Sequence, residues 1–72
     1  SQNYIESAYW LKKAADQSEP LAQFFLGISH FFGLGVTESK LEAAYLIDMA
    51  IASGNKEVLI MRDNLNSQGI YF

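Results

Sequence analysis

Residues 22–36, AQFFLGISHFFGLGV, decide the fold of this chain. Apolar side chains in this stretch, and just before it, recur at spacings of three and four residues, which is typical of an α-helix. They are Leu21, Phe24, Phe25, Ile28, Phe31 and Phe32. The helix is predicted to stop at Gly33-Leu34-Gly35, because glycine adopts positive φ without strain. Polar residues are so few over positions 20–32 that we expect neighbours to cover this helix on several sides.

Three further segments show helical periodicity, at residues 3–17, 39–53 and 55–67. Pro20 suits the first turn of the aromatic helix, and Ser18 or Glu19 can accept hydrogen bonds from its free N–H groups. Ser39, with glutamate three residues later, forms a capping box, and Asn55 can cap the last helix. No segment alternates with the period of a strand. The sequence therefore predicts an all-α fold of about four antiparallel helices.

Length and composition narrow the functional classes. The 72 residues form one domain at most, and 50% of them are hydrophobic, so the chain is too apolar to be disordered. The net charge is −3 and the five basic residues are scattered, which argues against nucleic-acid binding. No apolar run approaches the roughly 20 residues of a transmembrane helix, so we expect no membrane insertion.

The chain has no cysteine, which excludes disulfides and thiolate metal sites but leaves the compartment open. Its beginning, SQNY, has neither an initiator methionine nor a signal-peptide pattern. We therefore expect an excised piece or a processed form of a longer protein.

An offset of 36 residues superposes the first helix on the third. It pairs Ala8 with Ala44, Tyr9 with Tyr45, Leu11 with Ile47, Ala14 with Ala50 and Ser18 with Gly54. This register holds through a whole helix and its terminator, which indicates a repeated helix pair.

The repeated segments resemble a known family. Residues 22–27, AQFFLG, followed by GLGV at 33–36, are similar to the signature AQ-x-x-LG-x-x-Y-x-x-G-x-GV of Sel-1-like repeats. WLKKAA at 10–15 is similar to the family's W-x-K-A-A segment, so the resemblance covers residues 7–54. Four positions depart from the pattern: Ser18, His30, Ser39 and Leu46 replace its glycine, tyrosine, aspartate and tryptophan. Beyond Gly54 the match fades, and no second glycine loop is expected.

The resemblance implies a right-handed α/α superhelix of tetratricopeptide type, a solenoid whose members serve as adaptors and scaffolds for protein complexes. On this basis residues 1–72 form a single helical-repeat domain. Residues 1–18 are the second helix of a preceding repeat, 19–54 one complete repeat, and 55–72 a C-terminal capping helix and tail. A polar last helix suits the end of an array, because its outer face meets water.

Residues that could carry chemistry are sparse. His30 is the only histidine and the carboxylates are dispersed, so no metal or catalytic constellation is predicted. Gly33 and Gly35 lack the third glycine, the preceding strand and the lysine of phosphate-binding loops. We therefore predict no catalytic, metal-binding or cofactor-binding residues and no cofactor. His30 is expected to fill a position between helices with one ring nitrogen hydrogen-bonded.

The aromatic helix offers the sharper hypothesis. Four residues form what we call the aromatic stripe: Leu21, Phe24, Ile28 and Phe31. It is predicted to line the concave surface of the superhelix and to bind a protein or peptide partner through aromatic anchors. The alternatives are burial by neighbouring repeats, self-association of two copies, a regulatory ligand-binding domain, or an enzyme. The tail at 70–72 is either a lid folded onto the last helix or a disordered end.

Overall fold

A computed structural model describes residues 2–72, with side chains from residue 3 onward. In this part of the chain four α-helices follow one another, and no strand is present. They are α1 (Gln2–Asp16), α2 (Pro20–Phe32), α3 (Lys40–Ala52) and α4 (Lys56–Ser67). The all-α prediction is confirmed, and the predicted helix ends lie within one residue of those observed.

Local capping fixes most of these ends. The Glu42 N–H donates to Ser39 Oγ (3.1 Å) at the start of α3, and the Val58 N–H donates to Asn55 Oδ1 (3.0 Å) at the start of α4. Glu19 is the N-cap residue of α2, but its side chain accepts no hydrogen bond from the helix. One fewer N–H needs a partner there, because Pro20 has none, and the regular helical bonds begin with the Gln23 N–H, which donates to the Glu19 backbone carbonyl (2.9 Å).

Helix α2 lies at the centre of the fold. It packs against α1, α3 and α4, whereas α1 contacts no described helix other than α2. This confirms that several neighbours cover the aromatic helix. The approach of α3 depends on Gly27, which faces Ala43 and Ile47 of that helix.

The core consists of two clusters on either side of α2. The first joins α2, α3 and α4 around Phe24, Ala43, Ile47, Ala50 and Val58. The second joins α1, α2 and α3 around Ala15, Ala22, Leu26 and Leu46. The first cluster holds the largest fully buried side chains, Phe24, Ile47 and Val58, whose burial stabilises the chain.

The 36-residue repeat is visible in the backbone. Ser18 and Gly54, which follow α1 and α3, both have left-handed φ angles, of 64° and 76°. The Ser18 N–H donates to the Ala15 carbonyl, as the Gly54 N–H donates to the Ile51 carbonyl. The two helices therefore end in the same way although the residue types differ.

The repetition extends further than the sequence indicated. Gly33 and Gly69, 36 residues apart, end α2 and α4 with φ angles of 72° and 86°. The residue after each glycine donates to the carbonyl of a residue in the last turn, Leu34 to Ser29 and Ile70 to Leu65. Helix α4 is thus the structural counterpart of α2. The two segments diverge after these glycines, where Tyr71 stands at the position equivalent to Gly35.

Candidate functional site

The aromatic stripe is largely part of the core. Phe24 is 0% exposed, and Leu21, Ile28 and Phe31 are half-buried and packed against the same cluster. The expectation that Phe24 lies on an open surface needs correction, because α3, α4 and the chain end enclose its ring. Partner binding by these four residues stays a prediction, and only the three half-buried ones retain accessible surface.

The C-terminal residue covers the stripe. The Phe72 ring meets the Phe31 ring edge-on, with centroids 5.0 Å apart, and meets the Phe24 ring in the same way at 6.2 Å. Such edge-to-face pairs are favourable beyond the area they bury. The tail therefore folds back, as one of the two sequence-based alternatives proposed, but it lies on α2 and not only on the last helix.

Phe31 also interacts with the following helix. Lys40 Nζ lies 3.7 Å from the centre of the Phe31 ring and donates to the Phe31 carbonyl (2.9 Å). Positive charge at a helix C-terminus complements the helix dipole. A cation thus lies over the Phe31 ring, which Phe32 and Phe72 also meet edge-on, with centroids 4.9 and 5.0 Å away.

A groove on the other side of α2 runs between α1 and α3. At about 100° per residue, positions 23, 26 and 30 point roughly opposite to the aromatic stripe. The groove encloses about 550 Å³. We call it the Gln23 groove, and its polar lining consists mainly of Lys12, Asp16, Gln23, His30, Glu42 and Tyr45.

His30 holds the loop between α2 and α3. Its Nδ1 lies 3.0 Å from the Thr37 carbonyl oxygen, and its own carbonyl accepts from the Ser39 N–H (2.8 Å). The imidazole thus links α2 to the backbone just before α3. Among residues 2–72 no group of three histidine, aspartate or glutamate side chains is placed to hold a metal ion.

A second apolar surface involves α1. Trp10 of α1 is 64% exposed, and Phe25 and Phe32 of α2 are 42% and 49% exposed. We call these three residues the open face. The repeat explains two of them. Trp10 is the counterpart of Leu46 in α3, and Phe25 is the counterpart of Met61 in α4, and both counterparts pack in or against the core clusters. Trp10 and Phe25 therefore stand at helix-packing positions, whereas the counterpart of Phe32 is the exposed Gln68.

At 15 residues, α1 is the longest helix of the described chain, and none of the four is long and apolar enough to cross a membrane.

Helix pairs that recur with the same ends, capping and central packing define an α-helical repeat protein of tetratricopeptide-like fold. A model of the Sel1 repeat matches residues 1–19 and 20–55, and the chain belongs to the Sel1 repeat family. This confirms the resemblance seen in the sequence. No curated protein and no solved structure matches the chain.

Sel1 repeats generally mediate protein–protein interactions and are typically non-catalytic. The matched segments end at residue 55, whereas the structural repetition continues through Gly69. The assignment of residues 55–72 as a capping helix and tail remains a prediction. The outer face of α4 fits that role. The α4 residues 36 positions after those of the aromatic stripe are all exposed, and three of the four are polar: Glu57, Ile60, Asn64 and Ser67.

Proposed function

We propose that this chain is a non-catalytic interaction module that binds a protein partner through the aromatic stripe. The observation that carries the proposal is the contact of Phe72 with Phe24 and Phe31. The end of the chain places a phenylalanine on this surface, in the manner expected of an aromatic anchor from a partner.

The tail is suited to being displaced. Tyr71 is exposed and Phe72 remains 38% exposed, so the contact is incomplete. Residues 71 and 72 lie beyond the last hydrogen bond at the end of α4, which the Ile70 N–H donates to the Leu65 carbonyl, so lifting these two residues breaks no hydrogen bond of the helix. A partner that brings a larger apolar side chain gains the area that Phe72 leaves uncovered.

The binding test uses the chain's own tail as the ligand. A blocked peptide of the sequence QGIYF is titrated into the full chain carrying Phe72→Ala, and the methyl signals of Leu21 and Ile28 are followed by NMR. We expect saturable shifts of these signals. A matched peptide ending in alanine should produce none, since it lacks the ring.

The unmodified chain is the second control. A short tether gives the tail an effective concentration on the order of millimolar, so the same peptide should bind the unmodified chain markedly more weakly. Equal shifts in both chains, or none in the Phe72→Ala chain, would contradict the proposal that the stripe accepts an aromatic partner.

Self-association through the open face is a second candidate, and one observation favours it. Trp10 and Phe25 occupy positions whose counterparts, Leu46 and Met61, pack in or against the core clusters, yet they are exposed in the single chain. Large apolar side chains exposed at helix-packing positions favour an interaction surface. If two copies pair through it, sedimentation velocity should show a concentration-dependent dimer that Trp10→Glu abolishes and Tyr71→Glu does not.

A further inference from the structure

The Gln23 groove contains a buried amide without a partner. Gln23 is 4% exposed, and its side chain forms no hydrogen bond with residues 2–72. No side-chain nitrogen or oxygen in that part of the chain is both fully enclosed and unpaired. The amide of Gln23 must therefore be reached from outside, and the groove that it lines is the route.

A primary amide presents a carbonyl acceptor and an N–H donor side by side. A peptide unit of an extended chain presents the complementary N–H and C=O, so one side chain can pair with both. Hydrogen bonds in a partly water-excluded groove are stronger than those at an open surface. The chemistry of Gln23 thus matches a peptide backbone better than an ion or an apolar ligand.

The charges along the groove select among peptides. Asp16 and Glu42 lie on its two sides, and its only lysine, Lys12, has its Nζ 4.0 Å from Asp16 Oδ1. No described residue forms an ion pair with Glu42. The groove therefore carries an acidic excess with one carboxylate free, which repels phosphates and acidic peptides and attracts a basic side chain.

The aromatic ring on the α3 side adds to this preference. Tyr45 is 61% exposed and lies one turn after Glu42, so both border the same stretch of groove. A guanidinium group can stack on a tyrosine ring while it pairs with a carboxylate. We propose that the Gln23 groove binds an extended peptide segment containing arginine, whose backbone pairs with the Gln23 amide and whose guanidinium group meets Glu42 and Tyr45. This site does not depend on the aromatic stripe, which lies across α2.

The experiment titrates the full chain with the blocked tetrapeptide acetyl-Ala-Ala-Arg-Ala-amide and follows the Gln23 side-chain NH₂ signals and the Tyr45 backbone amide by NMR. We expect saturable shifts of both, with the Leu21 and Ile28 methyl signals unchanged. Shifts confined to those methyls would assign the peptide to the aromatic stripe and overturn this inference while leaving the proposed function intact. Absence of any saturable shift at millimolar peptide would overturn it as well.

Three variants identify the groups involved. Gln23→Leu keeps the side-chain volume and removes the amide, so the affinity should fall at least about tenfold. Gln68→Leu makes the same change at an exposed position on the last helix end and should leave the affinity unchanged. Glu42→Gln, on the exposed lip, should lower the affinity about threefold and remove the preference for arginine over its uncharged analogue citrulline.

Glu42→Gln keeps the test decisive if Gln23→Leu impairs folding. Its side chain is exposed, and the cap of α3 uses its backbone N–H and not its carboxylate. Equal binding of the arginine and citrulline peptides to the unmodified chain, or an unchanged preference in Glu42→Gln, would rule out the basic-peptide assignment.

Discussion

Gly27 of α2 faces Ile47 of α3 so closely that a Cβ atom at position 27 would lie 2.6 Å from Cγ1 of Ile47 and 3.2 Å from the Ala43 carbonyl oxygen. Alanine is normally the better helix former, by about 1 kcal/mol. Here the added methyl group meets a fully buried side chain and a backbone atom, and neither can move without disturbing the first core cluster. The glycine is therefore required by packing and not by its φ angle.

Gly27→Ala should accordingly destabilise the chain, by up to about 2 kcal/mol net, since overpacking costs roughly 1–3 kcal/mol and helix propensity offsets about 1 kcal/mol of it. Chemical denaturation of the two chains measures this difference. The matched test places Gly27→Ala in a chain with Ile47→Ala, which removes both Cγ1 and Cδ1, and all chains are measured in a stabilising osmolyte. The loss should be smaller on that background, and a gain in stability from Gly27→Ala alone would contradict the close approach.

Ser18 and Gly54 provide a reciprocal experiment. Both have left-handed φ angles at equivalent helix ends, but a side chain in that region costs about 1 kcal/mol that glycine avoids. Ser18→Gly should raise the free energy of unfolding by up to about 1 kcal/mol, with part of the gain lost to the greater freedom of glycine in the unfolded chain. In a domain of this size that gain raises the melting temperature by several degrees.

Gly54→Ser is the control for Ser18→Gly. A Cβ atom at position 54 would meet nothing within 4 Å, so only the backbone conformation should oppose it. It should lower the melting temperature by a similar amount. If both substitutions shift the melting temperature in the same direction, the equivalence of the two helix ends is wrong.

The helices could be predicted because residues close in sequence determine where each one begins and ends. Pro20, Ser39, Asn55 and Gly33 each set a terminus through the backbone of their own few neighbours, and the apolar spacing supplied the rest. The covering of Phe24 could not be predicted in this way. It depends on Phe72, which is distant in sequence and belongs to a three-residue tail without a periodicity of its own.

The Gln23 groove illustrates a different limit. In the sequence, Gln23 is one of the few polar residues on an otherwise apolar helix. A polar side chain in such a helix is expected to be buried and to need a hydrogen-bond partner. The groove itself exists only because α1 and α3 flank α2 on that side, and spacing within one helix does not report the distance between two others. The family resemblance supplied the order of the helices but no residue that binds a ligand.

Gly35 joins the loop after α2 to the first turn of α1. A Cβ atom at this position would overlap the backbone of Tyr4 and approach the Ile5 nitrogen to 2.7 Å, and the φ angle of 77° adds strain for any other residue. Because α1 contacts no described helix except α2, this loop contact is an important part of its attachment. Gly35→Ala should therefore destabilise the chain by more than about 2 kcal/mol and speed amide exchange first in α1.

Gly69→Ala separates the effect of backbone strain from the effect of steric overlap with α1. Position 69 has a similar φ angle of 86° but open space where the methyl group would go. It should cost only about 1 kcal/mol, the strain alone. Equal losses in the two variants, with exchange in α1 unchanged, would show that the loop does not hold the first helix.

Phe24 and Phe25 are adjacent, yet one is fully enclosed and the other is 42% exposed. Replacing a buried phenylalanine by alanine costs about 3–5 kcal/mol, and aspartate adds the penalty of an unpaired buried carboxylate. Since a domain of this size holds only a few kcal/mol of net stability, Phe24→Asp should abolish the helical circular dichroism signal at 25 °C. Phe25→Asp should keep it, because the carboxylate can remain in water. If Phe24→Asp keeps full helicity, the Phe24 ring lies on an open surface, as the spacing of the aromatic stripe predicted. Phe24 would then be available as a partner contact.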